Sequence, residues 1–309
     1  MDEFALIRRH FARPASGIVT LGIGDDAALL QPPEDCETVV ACDTLVAGRH
    51  FAGDADPADI GWKALNVNLS DLAAMGAEAD AFLLALTLPE ADEDWLAAFA
   101  GGLREAADAG GVCLAGGDTT RGPLTITITA IGHLPRNSAL RRDGARDGDL
   151  LAVTGTLGDA GAALAGHADA ELQRRLHRPR ARLGAGRALR GLARAAIDVS
   201  DGLLADVGHI CRASRVGAAI RADRLPASEA LAALAAPEEQ RLAWQCGAGD
   251  DYELAVAISP QALASAQEAC AAIGVPLSVV GRFVVGERAR LFDEEGKEYN
   301  GITSGYSHF

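Results

Sequence analysis

The alternation of apolar and polar residues predicts that strands and helices follow one another along the chain. Short apolar runs bounded by Gly, Pro or Asp have the length of buried strands, whereas apolar residues at helical spacing mark longer segments. The predicted strands are 18–21, 37–42, 81–88, 112–115, 124–131 and 150–153, and the predicted helices are 3–13, 57–75, 92–109, 180–195 and 203–213.

A charged segment with two glycines, residues 141–149, interrupts this pattern and is the predicted domain boundary. The predicted domains are therefore 1–140 and 147–309. The pattern Gly-x-Gly-Asp-Asp occurs in both, at 22–26 and at 247–251. This repeat indicates two related domains, although a shared turn chemistry would also produce it.

Two adjacent carboxylates, Asp25 and Asp26, follow Gly24 directly after the first predicted strand. Charges about 5 Å apart repel by about 3 kcal/mol at an effective dielectric constant of about 20. A fold that holds both carboxylates in place needs a cation or must protonate one of them. The neighbouring glycines let the backbone approach a ligand closely. The segment therefore predicts a divalent-metal site, with a phosphate bridged by the metal.

The same segment formally matches the dinucleotide-binding pattern Gly-x-Gly-x-x-Ala over residues 22–27. In that pattern a helix N-terminus meets a bare pyrophosphate. Here two aspartates would face the pyrophosphate, and Pro32 and Pro33 end any helix within about two turns. The sign of the charge argues against a nicotinamide nucleotide.

Further acidic residues stand at predicted strand ends, turns and helix faces, and each also has an ordinary structural explanation. Asp71 fits an exposed helix position, Asp118 fits a hairpin turn, and Asp201 fits a helix N-cap. Together they predict a site that grips a nucleotide through several Mg²⁺ ions, because Mg²⁺ prefers carboxylate, water and phosphate oxygens. The acids in question are Asp25, Asp26, Asp43, Asp71, Asp118, Asp198, Asp201, Asp250 and Asp251.

Composition narrows the function classes. The 309-residue chain has a net charge of −15, which argues against a nucleic-acid partner. Its lysines, Lys63 and Lys297, lie in neither a Walker loop nor a protein-kinase motif. Six scattered cysteines without a C-x-x-C pair argue against a zinc cage. With no apolar run of about 18 residues and an acidic start, we expect a cytoplasmic protein without a membrane partner.

The motifs and their order resemble those of the thiamine-monophosphate kinases, a family of the aminoimidazole-ribonucleotide-synthetase-like superfamily. The resemblance covers essentially the whole chain and is carried by residues 22–30, 43–51, 63–77, 116–123, 197–203, 247–254 and 305–309. It implies an α+β, two-domain PurM-like fold. The N-terminal domain, a mixed sheet with flanking helices, would bind ATP and Mg²⁺ and pair into a homodimer, and the C-terminal domain would be an α/β sandwich.

The resemblance implies direct transfer of a phosphoryl group from ATP to thiamine monophosphate, giving thiamine diphosphate and ADP. It implies several Mg²⁺ ions as cofactors and leaves open whether K⁺ is also required. The implied Mg²⁺ ligands are Asp26, Cys42, Asp43, Asp71, Asp118, Asp198 and Asp201. The implied ATP contacts are Gly117, Asp118, Arg142 and Ser200, and the implied thiamine-phosphate contacts are His50, Asp250 and Tyr306. The Tyr306 ring would face the cationic heterocycle.

Three positions depart from the family pattern. Cys42 puts a thiol, a poor Mg²⁺ ligand, where relatives often have a hydroxyl. Asp250 is one methylene shorter than the glutamate of relatives, so we expect a longer or water-mediated contact. Ser307 replaces a frequent aspartate.

We expect no general base, because the acceptor is already a phosphate oxygen at neutral pH. Catalysis would then consist of positioning and charge neutralisation. Two alternatives stay open: an enzyme of this fold that activates an amide oxygen or forms selenophosphate, and a Mg-nucleotide-binding regulatory module without turnover. A selenophosphate-forming enzyme is expected to carry a reactive cysteine or selenocysteine in a glycine-rich N-terminal segment. Here the first cysteine, Cys36, comes only after the Gly-Asp-Asp motif, which argues against that chemistry. Against the module, both donor and acceptor motifs are present.

Overall fold

The structure is a computed structural model that describes residues 3–299, 301–302 and 305. Its contacts divide the chain into two compact units. The first extends to Asn137 apart from Ala73–Gly76, which belong to the second unit together with the residues from Ser138 onward. Across the described ranges, no helix is long and apolar enough to cross a membrane.

The first unit is built on a four-stranded mixed sheet. Its order is β3-β6-β4-β5, with β4 and β5 parallel and the other neighbours antiparallel. A short antiparallel pair, β1 and β2, lies outside this sheet. The strands are β1 (Val19–Leu21), β2 (Leu29–Leu30), β3 (Cys36–Val46), β4 (Glu78–Leu88), β5 (Cys113–Arg121) and β6 (Thr125–Pro135).

Three helices accompany this sheet: α1 (Glu3–His10), α2 (Pro57–Ala74) and α3 (Glu93–Gly110). The Asp92 carboxylate caps α3 by accepting from the backbone N–H groups of Asp94 and Trp95. Helices α2 and α3 pack in direct backbone contact, because a Cβ on Gly102 would lie 1.8 Å from the Ala58 carbonyl oxygen. Glycine is therefore required at this crossing.

The second unit contains a six-stranded sheet of order β12-β9-β11-β7-β10-β8, in which β12 and β9 are parallel. Its strands are β7 (Leu150–Thr154), β8 (Ala193–Asp198), β9 (Gly217–Arg221), β10 (Leu254–Ile258), β11 (Leu277–Val284) and β12 (Ala289–Phe292). Its helices are α4 (Asp159–Leu164), α5 (Ala170–His177), α6 (Leu183–Leu189), α7 (Leu203–Ser214), α8 (Glu229–Ala232), α9 (Glu238–Gly247) and α10 (Leu263–Ala271).

Both faces of this second sheet are covered by helices. Along β10, Ala255 and Ala257 pack into a core with residues of α7 and α9. Leu254, Val256 and Ile258 point to the other face and pack with residues of α6 and α10. Every residue of β10 is buried and apolar, as expected for a strand that is covered on both faces. The second unit is thus the α/β sandwich that the resemblance implies.

Most predicted elements are confirmed, but three predictions are wrong. Asp43 lies inside β3, which continues to Val46, and Asp118 lies inside β5 rather than in a turn. The helix predicted over 180–195 ends at Leu189, because Gly191 takes a left-handed φ of 75° and the following residues pair with β10 as strand β8.

Candidate active site

Each unit contains its own group of predicted site residues. In the first unit, the buried amide of Asn68 on α2, the helix that also carries Asp71, holds the backbone of Asp43. The Asp43 N–H donates to Asn68 Oδ1 at 2.8 Å, and Asn68 Nδ2 donates to the Ala64 carbonyl at 3.0 Å. Asp71 follows Asn68 by three residues, so it lies on the same side of α2. The edge of β3 that does not pair with β6 is thereby held against α2, the helix that carries Asp71.

Asp118 and Gly117 lie on the far edge strand of the same sheet. Asp118 pairs with Ala85, Ala85 with Thr127, and Thr127 with Thr44. Three strand spacings of about 4.8 Å separate this edge from β3, so Asp118 lies about 14 Å from the strand of Asp43. Asp43 and Asp118 of one chain are therefore not neighbours in this sheet.

Gly117 has a φ of 155°, and a Cβ there would lie 1.8 Å from the Leu84 carbonyl oxygen. A side chain at this position would displace the neighbouring strand. Glycine is therefore required where β5 approaches the backbone of β4 at this position.

Asp26 lies in the loop between β1 and β2. The exposed Asp26 donates its N–H to Asp25 Oδ1 at 2.8 Å, a local turn contact. The pair of strands is anchored to the main sheet because Val19 packs with Ala81 and Ala115. The loop that carries the two carboxylates is thus held in place at its base.

The Cys42 thiol is exposed and lies 3.4 Å from Thr129 Oγ1. Successive residues of a strand point to opposite faces. The thiol of Cys42 and the carboxylate of Asp43 therefore lie on different faces of β3.

His50 follows β3 in a tight turn that fixes its ring. The Val46 N–H donates to His50 Nδ1 at 2.9 Å, and the His50 N–H donates back to the Val46 carbonyl at 3.1 Å. Since Nδ1 accepts, the neutral ring carries its proton on Nε2. The Nε2–H is therefore the donor group of the His50 ring.

In the second unit, Asp198 ends β8 and the loop of Ser200 and Asp201 follows. The interpretation of Asp201 as an N-cap is wrong, because Gly202 occupies the cap of α7 without a side-chain hydrogen bond. The loop is held instead by Asp206 Oδ2, which accepts from three successive backbone N–H groups at 3.0–3.1 Å.

Asp206 is a residue that sequence reasoning missed, since an acid in the first turn of a helix is commonplace. Burial and the nearby carboxylates of Asp198 and Asp201 raise its pKa to about 8, while the backbone donors act in the opposite direction. The carboxylates of Asp198 and Asp201 thus disfavour a negative charge on Asp206, and a cation bound to either of them would relieve this repulsion.

The second Gly-Asp-Asp segment lies directly against that loop. The Asp250 N–H donates to the Ser200 carbonyl at 2.9 Å, and a Cβ on Gly249 would lie 2.2 Å from the same oxygen. The structure therefore brings together Asp198, Ser200, Asp201 and Asp250. Gly305, the last described residue before Tyr306, lies beside the Asp201 carbonyl.

Arg142 is exposed at the start of the second unit, and its backbone is anchored to the end of α7. The Arg142 charge also acts on the region around Asp201. Burial, Arg212 and Arg142 lower the pKa of His209, and Asp201 raises it. Arg142 and Asp201 thus both act on one histidine of α7.

The donor sets fit Mg²⁺ in their chemistry, since carboxylate oxygens dominate both. Among the side chains of the described residues, no three His, Cys, Asp or Glu form a group that could hold a metal ion. Mg²⁺ is commonly held by one or two carboxylates together with substrate phosphates and water, without a complete protein cage. The carboxylates of the described residues do not complete a metal cage by themselves, which agrees with Mg²⁺ binding that also uses substrate phosphates and water.

Comparison with known proteins identifies the class. Residues 24–134 match the AIR synthase related protein N-terminal domain, and residues 146–294 match the corresponding C-terminal domain. The Escherichia coli K12 thiamine-monophosphate kinase is 45% identical over 320 aligned residues, covering 99% of this chain and 98% of the relative. The chain belongs to the thiamine-monophosphate kinase family of AIR synthase related proteins.

Solved structures agree with this assignment. The thiamine-monophosphate kinase from Stenotrophomonas maltophilia K279a has a TM-score of 0.85 and 43% identity, covering 96% of this chain and 95% of that one. AaThiL complexed with AMPPCP and TMP has a TM-score of 0.76 and 29% identity, covering 93% and 92%. The implied two-domain fold is thereby confirmed.

Proposed function

We propose that this protein transfers the γ-phosphoryl group of ATP to thiamine monophosphate, giving thiamine diphosphate and ADP. The observation that carries the proposal is the 45% identity with a thiamine-monophosphate kinase over nearly the full length of both chains. The similar AaThiL, complexed with AMPPCP and TMP, supports a site that takes both molecules.

In this proposal the metal-binding residues divide between the units. Asp26, Asp43, Asp71 and Asp118 belong to the first, and Asp198 and Asp201 belong to the second. When bound, Mg²⁺ would neutralise phosphate charge and align the reacting oxygens. Cys42 would contribute its backbone rather than its thiol, because sulfur is a poor ligand for this ion. K⁺ has no support from the residues described.

The chain's own groups would bind and orient the two substrates. The Gly117 backbone, Asp118, Arg142 and Ser200 would contact ATP. The His50 Nε2–H would donate to the phosphate of thiamine monophosphate, and Asp250 and Tyr306 would contact the rest of that substrate. Bidentate guanidinium–phosphate pairing suits Arg142 to its role.

No side chain would need to act as a general base. An oxygen of the acceptor phosphate would attack the γ-phosphorus in line, and the bond between the γ-phosphorus and the bridging oxygen would break, leaving ADP. The charge that spreads over the transferred group would be offset by the Arg142 guanidinium and by the cations held at the carboxylates. We therefore expect that the logarithm of the rate does not rise linearly with pH, as it would if one protein base had to lose its proton.

An assay of acceptor dependence tests the proposal against its alternatives. Purified protein is incubated with Mg·ATP, with and without thiamine monophosphate, and ADP and thiamine diphosphate are quantified by chromatography. The proposal predicts that ADP forms only with thiamine monophosphate present. ADP formation that needs another acceptor would support a synthetase, and no turnover at all would support a regulatory module.

We propose that the enzyme is a homodimer that pairs through the first unit's sheet; its cytoplasmic location stays a prediction. Val40 is 61% exposed on β3, and Cys42 and Thr44 on the same face are exposed as well. An exposed sheet face that carries an apolar side chain such as Val40 suits association with a second copy. Light scattering should show that Val40→Lys is a monomer at concentrations where wild type is a dimer. Val285→Lys is the control, because Val285 is exposed in the second unit.

A further inference from the structure

The loop that carries Asp250 has an unusual backbone. Asp250 has a φ of 60° and Tyr252 a φ of 50°, although neither is glycine. Left-handed conformations are uncommon for residues with side chains, and for a bulky residue such as tyrosine they are genuine outliers. Such conformations persist where the surroundings enforce them, and they concentrate at functional sites.

Backbone hydrogen bonds hold this loop on the loop of Ser200. Asp250 and Tyr252 donate their N–H groups to the carbonyls of Ser200 and Val199, both at 2.9 Å. In return, the Val199 N–H donates to the Glu253 carbonyl at 2.8 Å. These backbone hydrogen bonds tie the two segments together and fix the Asp250 backbone relative to Ser200.

The residue after the strained pair is anchored just as firmly. The fully buried Glu253 carboxylate accepts from Thr154 Oγ1 at 2.7 Å, from Arg175 Nη2 at 2.9 Å and from Arg182 Nε at 2.6 Å. Two guanidinium groups and a hydroxyl satisfy this charge, so Glu253 is a rigid anchor. The position of Tyr252 is thereby fixed from both sides.

From this position the Tyr252 hydroxyl donates to Asp250 Oδ1 at 2.9 Å. The tyrosine is 9% exposed, so its ring has little freedom to move. The backbone of Asp250 does not by itself set the rotation of the carboxyl group, and the hydrogen bond from Tyr252 restrains that rotation. We propose that Tyr252 is a positioning residue, which orients the Asp250 carboxylate for thiamine monophosphate.

The inference rests on the proposed function, in which Asp250 contacts thiamine monophosphate. Tyr252 would act through Asp250 without touching the reacting atoms. The side chain of Asp250 is also one methylene shorter than the glutamate of relatives. A carboxylate that reaches less far depends more on being held at the correct angle, because imprecise placement weakens a directional contact.

A double-mutant cycle tests the proposal. Tyr252→Phe removes the hydroxyl and keeps the ring, and Asp250→Ala removes the group on which the hydroxyl acts. We expect Tyr252→Phe to raise the dissociation constant of thiamine monophosphate about tenfold, the size expected for loss of a hydrogen bond to a charged group. In the Asp250→Ala background the same change should alter the constant less than about twofold.

The kinetic constants provide a second readout. Tyr252→Phe should raise the KM for thiamine monophosphate and leave the KM for ATP unchanged. Tyr299→Phe is the matched control, since Tyr299 donates to the Glu238 carboxylate at 3.1 Å on the exposed surface. That variant should leave both constants at their wild-type values.

Three results would overturn the proposal. They are wild-type affinity in Tyr252→Phe, an equal effect of Tyr252→Phe with and without Asp250, and loss of folding in Tyr252→Phe, which would give the hydroxyl a purely structural role. Failure of the proposed function is recognised separately, because wild type would then produce no thiamine diphosphate from ATP and thiamine monophosphate.

Discussion

Ser214 Oγ donates to the Arg142 carbonyl at 2.7 Å and accepts from the Ala145 N–H at 3.1 Å. One hydroxyl at the end of α7 therefore closes the turn that presents Arg142. The arrangement couples the proposed ATP contact to the same helix whose first turn carries Asp206.

Loss of this hydroxyl should weaken ATP binding. We expect Ser214→Ala to raise the KM for ATP about three- to tenfold, because the Arg142 turn loses two hydrogen bonds of about 1 kcal/mol each. The KM for thiamine monophosphate should not change. Steady-state kinetics with each substrate varied in turn measure both values.

Ser228→Ala is the control for this prediction. Ser228 Oγ caps α8 by accepting from the Leu231 N–H at 3.0 Å, so its loss removes hydrogen bonds elsewhere in the same unit. A similar rise in the KM for ATP in both variants would mean that general destabilisation, not the Arg142 turn, is responsible.

Asp206 should matter for stability because its Oδ2 oxygen satisfies three backbone donors. Asp206→Ala leaves these N–H groups without their acceptor, and we expect a loss of about 2–4 kcal/mol in the free energy of unfolding. Asp206→Asn keeps an amide oxygen and should recover most of that loss. Urea denaturation measures both, and equal destabilisation by Ala and Asn would contradict this role of the oxygen.

Removal of one proposed metal ligand should change the Mg²⁺ requirement. We expect Asp71→Asn to lower kcat about 100-fold and to raise the Mg²⁺ concentration for half-maximal rate about tenfold. Asp54→Asn removes the same charge from an exposed loop of the same unit and should behave like wild type. Mg²⁺ titrations at saturating ATP compare the variants, and an unchanged titration for Asp71→Asn would argue against it as a ligand.

Asp251 should make stability depend on pH. Burial raises its pKa well above 3.8, and Asp251 Oδ2 has no hydrogen-bond partner among the described residues. The folded state therefore holds the proton more tightly than the unfolded state. This contribution is complete below pH 3.8 and is lost as the pH rises toward the pKa of the folded state.

Asp251→Asn cannot lose a proton and so avoids that loss. Relative to wild type, its free energy of unfolding should improve between about pH 5 and pH 8, by at most about 1.4 kcal/mol per pH unit. Urea denaturation across this range checks the sign. Asp147→Asn, at an exposed position, should show no such trend, and a constant difference for Asp251→Asn would contradict the account.

The sequence was informative where the chemistry is local. The helix beginning at Pro57 and the strand β7 follow from their patterns, and the acids that meet in the second unit are recognisable from their sequence contexts. The Gly116–Gly117 pair was misleading, because consecutive glycines are typical of turns, yet here they lie in an edge strand paired with β4.

Other features depend on tertiary contacts that no local pattern contains. Asp206 has the sequence context of an ordinary helix acid, and its role arises from the loop that folds back over it. Nothing about Tyr252 in the sequence indicates a positive φ, because the fixed neighbours on both sides impose it. Asn68 likewise gains its role only when β3 reaches α2.

The most direct test of the central claim follows the phosphoryl group itself. Wild-type protein is incubated with Mg²⁺, thiamine monophosphate and ATP labelled in the γ-phosphate, and the label is traced after rapid quenching. The account predicts that it appears in the terminal phosphate of thiamine diphosphate, one for each ADP formed, and never on the protein. Label bound to the protein, or released as inorganic phosphate without thiamine diphosphate, would contradict direct transfer.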